Sequence, residues 1–115
     1  MNDKRHGKGY ELFSNGNTYH GEYQNGKPYG KGVYTWTNGE AFDGEWQNGK
    51  KEGNGIWKGI NGESYIGEWK ANKAHGFGVH TWDDGDKYGG EWFMSLRHGK
   101  GTDFFSNGDI YIGHY

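Results

Sequence analysis

The sequence predicts an all-β protein, an elongated single-layer antiparallel meander of five β-hairpins. Three observations predict it: a 23-residue repeat, a turn signal in every repeat, and strand-like alternation without helical periodicity. Aromatic residues recur in two columns, at Tyr19, Phe42, Tyr65, Tyr88 and Tyr111, and at Tyr23, Trp46, Trp69, Trp92 and Tyr115. Of the 24 glycines, 20 fall into four more columns of the same period. Such self-similarity is typical of chains that stack one small unit on the next.

The turn signal sets the predicted hairpins. It is an Asn-Gly or Asp-Gly pair at 15–16, 38–39, 61–62, 84–85 and 107–108. These pairs favour two-residue type I′ turns, because both central residues need a positive φ. We therefore expect a single domain over residues 1–115, with the hairpins joined by six-residue loops such as 24–29. The predicted hairpins are about 7–23, 30–46, 53–69, 76–92 and 99–115.

Composition limits the function classes. Leu, Ile, Val and Phe number only 15 of 115 residues, but 21 aromatic residues supply apolar surface and the net charge is −2. A thin sheet is therefore expected, without a thick core. There is no cysteine for a disulfide or a thiolate metal site. The sequence pI of 6.3 argues against nucleic-acid binding. With no signal peptide or long apolar run in sight, a cytoplasmic protein is expected.

The repeat resembles the MORN (membrane occupation and recognition nexus) family. The stretches "YHGEYQNGKPYGKG" (19–32), "FDGEWQNGKKEGNG" (42–55) and "YIGEWKANKAHGFG" (65–78) carry this resemblance. It implies a ribbon of hairpins that acts as a scaffold, a dimerisation module or an anchor near a membrane or the cytoskeleton. The segment "ANKAHGFGVHTWDDGDKYGGEW" is most similar to repeats beside plant and ciliate phosphatidylinositol phosphate kinases, although this sequence contains no kinase segment.

Two-residue turns would place Thr35 opposite Phe42 and Val33 opposite Gly44. The aromatic columns and a row of Tyr10, Val33, Ile56, Val79 and Thr102 would then share one structural face. The other face would carry a variable strip over exposed glycines, which we predict to be a groove for a peptide or helix of a protein partner. Its residues are Phe13, Tyr34, Trp36, Trp57, His80, Trp82 and Phe105. The alternative is that these aromatics only cover the sheet.

Charges are expected at the two long edges. Basic residues concentrate in the predicted six-residue loops, and acidic residues concentrate around the Asn-Gly pairs. The basic edge is a candidate site for anionic phospholipids or phosphoinositides, which would make the chain a peripheral membrane adaptor. Its residues are Lys4, Arg5, Lys27, Lys50, Lys51, Lys73 and Arg97. Solvation of the loops explains the same lysines without any ligand.

No motif indicates catalysis or a cofactor. Histidines in successive loops, such as His75 and His98, would lie about 9–10 Å apart, too far to share one metal ion. No serine or threonine has the context of a catalytic triad. A non-enzymatic protein without catalytic residues, metal or cofactor is expected. The two end strands would leave unpaired backbone groups, which predicts self-association from edge to edge.

Overall fold

The computed structural model describes residues 7–115, which form one antiparallel sheet whose ten strands each pair with the next. The strands are β1 (Gly7–Leu12), β2 (Thr18–Gln24), β3 (Lys27–Thr35), β4 (Ala41–Gln47), β5 (Lys50–Lys58), β6 (Ser64–Lys70), β7 (Lys73–Thr81), β8 (Lys87–Phe93), β9 (Leu96–Phe104) and β10 (Ile110–His114). The molecule measures 58 × 26 × 17 Å. Within residues 7–115, no helix is long and apolar enough to cross a membrane. The predicted open meander is confirmed.

The turn type predicted for the Asn-Gly pairs is wrong, because they lie in three-residue loops. Between β3 and β4, the Trp36 amide donates to the Glu40 carbonyl at 2.9 Å and the Gly39 amide donates to the Trp36 carbonyl at 3.1 Å. Gly39 has a φ of 99°, whereas Asn38 is not among the described residues with positive φ. This pattern is a type I turn followed by a left-handed glycine. The Asn38 side chain accepts a hydrogen bond from the Glu40 amide at 2.9 Å, which stabilises the loop.

The type I′ turns lie at the other edge, inside the predicted six-residue loops. Gln24 pairs with Lys27, and the two residues between them, Asn25 and Gly26, have φ values of 54° and 80°. Two-residue turns recur at 48–49, 71–72 and 94–95. We call this side of the sheet the turn edge, and the side with the five three-residue loops the loop edge.

A glutamate closes a bulge in each connection from one hairpin to the next. Between matched pairs on either side of Glu22, β3 contains two more residues than β2. The Glu22 carboxylate accepts a hydrogen bond from the Lys31 amide at 3.0 Å, where the strand ladder is interrupted. The same bond joins Glu45 to Asn54, Glu68 to Phe77 and Glu91 to Lys100. This glutamate row therefore completes the hydrogen bonding of the sheet.

Each loop has one residue more than predicted, so the register of each hairpin shifts by one residue. Side chains of one strand therefore lie on the opposite face from the one predicted relative to its partner strand. Phe42 lies opposite Tyr34 instead of Thr35 as predicted. The two aromatic columns define what we call the aromatic face, and the opposite side is the second face. The second face carries the row of Tyr10, Val33, Ile56, Val79 and Thr102. The prediction that this row shares a face with the aromatic columns is therefore wrong.

The aromatic columns interlock along the whole ribbon. Neighbouring rings meet edge to face, with centroid distances from 5.0 to 5.6 Å. Tyr19, Phe42 and Tyr88 are 0% exposed. Edge-to-face pairs stabilise by about 0.5–1.5 kcal/mol beyond the burial of their area, so this continuous row takes the place of a core.

Glycines make room for these rings. A Cβ atom on Gly32 would lie 2.1 Å from the Tyr19 hydroxyl, and one on Gly55 would lie 2.2 Å from the Phe42 ring. The rings therefore rest directly on the backbone of the next hairpin. Each indole of the second aromatic column also donates to a strand carbonyl, as Trp46 does to Gly32 at 3.0 Å. The glycine columns are thus a packing requirement of the aromatic face.

Candidate protein-binding face

The residues of the predicted groove lie on the aromatic face, together with the structural columns and not opposite them. Phe13, Tyr34, Trp36, Trp57 and Trp82 are partly buried and pack against the core. This placement corrects the prediction of a separate binding face, and it follows from the register. The predicted groove and the packed aromatic columns therefore share one surface, and the groove residues form the side of that surface towards the loop edge.

The two remaining groove residues differ in their surroundings. The His80 ring lies 4.4 Å from the Trp82 ring between centroids, and its Nε2 lies 3.0 Å from a Glu63 carboxylate oxygen. Phe105 directly precedes the last three-residue loop and is 41% exposed. The structure thus brings His80 into the aromatic strip and leaves Phe105 at its end.

The buried tyrosines are structural groups. Burial raises the pKa of Tyr19 to about 12, and burial likewise raises the pKa of Tyr65 to about 12. Their hydroxyls donate to the carbonyls of Glu22 at 2.8 Å and Glu68 at 3.0 Å. Both phenols are therefore neutral at physiological pH and hold the backbone beside the bulge.

Lys51 was expected at the basic edge, but it does not extend from the turn edge. Its ammonium lies over the aromatic face, 5.2 Å from the Trp36 ring centroid, 5.4 Å from Phe42 and 5.5 Å from Trp69. Burial lowers the pKa of Lys51, and the nearby Glu40 carboxylate opposes this effect. Such a cation over several rings gains electrostatic attraction from their π faces.

Arg97, another residue predicted for the lipid edge, occupies the corresponding place two repeats later. Its guanidinium carbon lies 4.8 Å from the Trp82 ring centroid, 5.1 Å from Tyr88 and 5.9 Å from Tyr115. It also donates to Asp103 at 3.0 Å. Two basic residues are thus engaged with the aromatic face. Sequence reasoning missed this role because it placed Lys51 and Arg97 in six-residue loops, whereas the two-residue turns leave them on strands β5 and β9.

A cleft of about 280 Å³ opens on the aromatic face between these two cations. Its lining comprises Trp57, Tyr65, Trp69, Ala74, His80, Trp82, Trp92 and Ser95. Three predicted groove residues are among them. Ala74 holds the repeat position of Lys51 and Arg97, and its short side chain leaves the rings accessible.

The turn edge retains part of its predicted basic character. Lys27, Lys50 and Lys73 follow successive type I′ turns and are exposed. Lys4 and Arg5 lie outside the described residues. In the fourth turn the corresponding position is Leu96, which is 68% exposed. The lysine row therefore ends in an exposed apolar side chain.

The acidic residues of the loop edge link successive hairpins. Glu40 accepts a hydrogen bond from the Trp57 indole at 3.2 Å, and Asp86 accepts one from the Ser106 amide at 2.7 Å. Glu63 reaches His80 in the same way. The carboxylates thus have partners within the protein while they keep the loop edge negative.

The second face contains a shallow cleft of about 440 Å³, whose lining includes Lys31, Asp43, Glu45, Ile56 and Ile66. Across residues 7–115, no group of three or more histidine or acidic side chains is placed to hold a metal ion.

The sequence profile of the MORN repeat matches five successive segments that span residues 1–110. These segments are 1–18, 19–41, 42–64, 65–87 and 88–110. A comparison with curated proteins found no match. The last four matched segments begin at residues of the first aromatic column, whose rings pack on the glycines of the next hairpin. The chain therefore belongs to the MORN repeat family.

Proposed function

We propose that the chain is a non-enzymatic scaffold that binds a peptide or helix of a protein partner along its aromatic face. The observation that carries this proposal is the open aromatic cleft between Trp57 and Trp82. Partly buried tryptophans in a concave, ordered surface are typical of the residues that dominate binding energy in protein interfaces. The flat and elongated sheet gives an extended segment room to lie along the strip.

Charge complementarity favours a basic partner segment. The aromatic strip borders the loop edge, which carries Glu40, Glu63, Asp83, Asp84 and Asp86. A basic peptide on the strip would therefore meet acidic side chains on its loop-edge side. We propose a cytoplasmic setting for this partner.

A peptide-display selection against the immobilised protein tests the proposal. Selected peptides should lose at least ten-fold in affinity with Trp82→Ala, because an aromatic wall of the cleft is removed. Ile66→Ala on the second face is the matched control and should leave the Kd unchanged. Thermal melts establish that both variants fold, and Trp82→Phe serves if Trp82→Ala does not. Binding that depends on Ile66 and not on Trp82 would refute the proposal.

One observation favours a second candidate function, the peripheral membrane adaptor. The exposed Lys27, Lys50 and Lys73 share the turn edge with Leu96 and with Met94, which is 39% exposed. Cations beside apolar side chains are a combination that attracts a protein to an anionic bilayer. Sedimentation with phosphatidylinositol-bisphosphate vesicles should then fall with salt and with charge reversal of the three lysines. A regulatory role beside a lipid kinase is a narrower form of this proposal and needs a catalytic domain elsewhere in the parent chain.

A further inference from the structure

Four repeats build the same slot on the aromatic face from residues at fixed offsets, and in the first of them the central residue is Pro28, with Tyr19 and Trp46. Each slot has a central position on the strand after a type I′ turn, an aromatic residue nine positions before it and another eighteen positions after it. We name the slots by their central residues. The Lys51 slot has Phe42 and Trp69, the Ala74 slot has Tyr65 and Trp92, and the Arg97 slot has Tyr88 and Tyr115.

Two slots hold a cation that the chain supplies itself. The Lys51 ammonium lies 5.4 and 5.5 Å from its two ring centroids, and the Arg97 guanidinium lies 5.1 and 5.9 Å from its own. An ammonium and a guanidinium thus occupy the same geometry. The slot therefore accepts either kind of basic side chain, as expected when the ring faces provide the attraction.

The Ala74 slot retains the acid of the pattern and lacks the cation. Glu40, eleven positions before Lys51, raises the pKa of that lysine against the larger lowering caused by burial. Glu63 stands eleven positions before Ala74, and its carboxylate contacts His80 beside the cleft. A carboxylate that contacts His80 and two aromatic rings are present here, and the central position carries no lysine or arginine.

The Ala74 slot also differs from the Lys51 and Arg97 slots in one of its walls. The wall that Trp36 and Trp82 give to those two slots is replaced by Gly59, fifteen positions before Ala74. A Cβ atom on Gly59 would lie 2.9 Å from the outer edge of the Trp57 indole, so this ring leans into the vacated space. The result is the cleft of about 280 Å³, walled by Trp57 and Trp82.

We infer that the Ala74 slot binds the cationic end of a lysine or arginine side chain from the partner segment. The incoming group would lie against Tyr65 and Trp92, as Lys51 and Arg97 do against their own rings. This inference rests on the proposed function and specifies its chemistry. The partner presents a basic residue at the middle of the ribbon, where the chain's own row of cations is interrupted.

Small probes test the slot directly. N-acetyl-lysine amide, N-acetyl-arginine amide and the neutral N-acetyl-norleucine amide are titrated into the ¹⁵N-labelled protein, and the indole N–H signals are followed by NMR. The two cationic probes should shift the Trp57, Trp82 and Trp92 signals saturably, with a Kd in the millimolar range. Norleucine amide should bind at least five-fold more weakly, because it has the apolar stem without the charge.

Ala74→Lys is the decisive variant, because it restores the pattern of the Lys51 slot and fills the cleft from within. It should weaken binding of lysine amide at least ten-fold. Ala74→Met supplies a side chain of similar length without charge. Ala74→Met should therefore also weaken binding by filling the slot, and if neither variant weakens binding, the probe lies outside the slot and the inference is overturned. Ala74→Arg, which reproduces the residue at position 97, replaces Ala74→Lys if that variant does not fold.

Other outcomes separate this inference from the proposed function. Equal binding of norleucine amide, or no saturable shift, overturns the inference. Tighter binding of phosphocholine than of lysine amide assigns the slot to a lipid headgroup and also overturns it. Displayed peptides that depend on Trp82 but ignore Ala74→Lys preserve the proposed function alone. Lysine amide that saturates the slot, while displayed peptides ignore Trp82→Ala, preserves the slot and overturns the proposed function.

Discussion

At the scale of single residues, the first aromatic column shows how one position serves both packing and hydrogen bonding. Tyr19 and Tyr65 each place a ring on glycine and a hydroxyl on a carbonyl, whereas Phe42 keeps only the ring. All five positions of this column therefore carry a ring, and one of them lacks the hydroxyl. This natural substitution supplies a matched control for the ionisation of the buried phenols.

We predict that alkali destabilises the protein through these phenols. Their folded-state pKa of about 12 exceeds the unfolded value of 10.0. Their contribution is therefore complete below pH 10 and is lost as the pH rises towards 12. Each pH unit of separation corresponds to about 1.4 kcal/mol per group. Urea unfolding between these pH values should show the loss, and Tyr19→Phe with Tyr65→Phe should reduce it. An equal loss in the double variant would contradict the assignment.

Adjacent glycines provide a second prediction at this scale. A Cβ atom on Gly90 would lie 2.5 Å from the Gly101 Cα atom, whereas one on Gly89 would have its nearest neighbour at 3.4 Å. Gly90→Ala should therefore cost about 3 kcal/mol, because backbone would have to move. Gly89→Ala, on the second face, should cost less than about 1 kcal/mol. Denaturant midpoints of the two variants measure the difference, and equal midpoints would refute the proposed need for glycine on the aromatic face.

At the scale of elements, the type I′ turns carry different residues in otherwise equivalent places. Two of them are Asn-Gly, at 25–26 and 48–49, and the fourth is Met94-Ser95 with φ values of 49° and 70°. A left-handed conformation costs roughly 1–2 kcal/mol for residues other than Gly, Asn and Asp. The fourth turn is thus less favourable than the first two.

We predict that the double change Met94→Asn and Ser95→Gly stabilises the protein by about 1–2 kcal/mol, because both new residues favour the existing conformation. Thermal melts measure the gain. The reverse exchange at Asn25 and Gly26 should cost a similar amount. A neutral result at both turns would mean that their backbone conformation differs from the one described.

At the scale of the whole molecule, the sheet consists of units that contact only their neighbours, with β1 and β10 at its two ends. Ile110 and Ile112 on β10 are 60% and 76% exposed. An outer strand with apolar side chains is a template for pairing with another chain. Self-association through this strand stays a prediction.

We predict that the protein associates from end to end through its outer strands at high concentration. Light scattering should show a mass that rises with concentration, and Ile112→Lys should reduce the rise, because charge on an outer strand opposes pairing. Ile66→Lys, in the middle of the sheet, is the control and should leave it unchanged. A monomeric mass at all concentrations would reject this prediction.

The candidate site was predictable in its residue types but not in its arrangement. Trp57, His80 and Trp82 stood out because they vary within a regular repeat, and three-residue loops then placed them beside the structural columns. The engagement of Lys51 and Arg97 could have been found from the same register. The signal was available, because Asn25-Gly26 and Asn48-Gly49 form a second turn series that divides each six-residue segment.

By itself, the sequence determined the unit, the strand class and the order of pairing, because a 23-residue period with paired turn signals permits little besides a meander of hairpins. Only the tertiary structure decided the register. An Asn-Gly pair suits a two-residue and a three-residue loop alike. In the observed register, Gly32 on β3 pairs with Gly44 on β4 and with Gly21 on β2. The buried rings can pack only against these glycines. Packing between hairpins therefore decided the register, which the local turn preference did not determine.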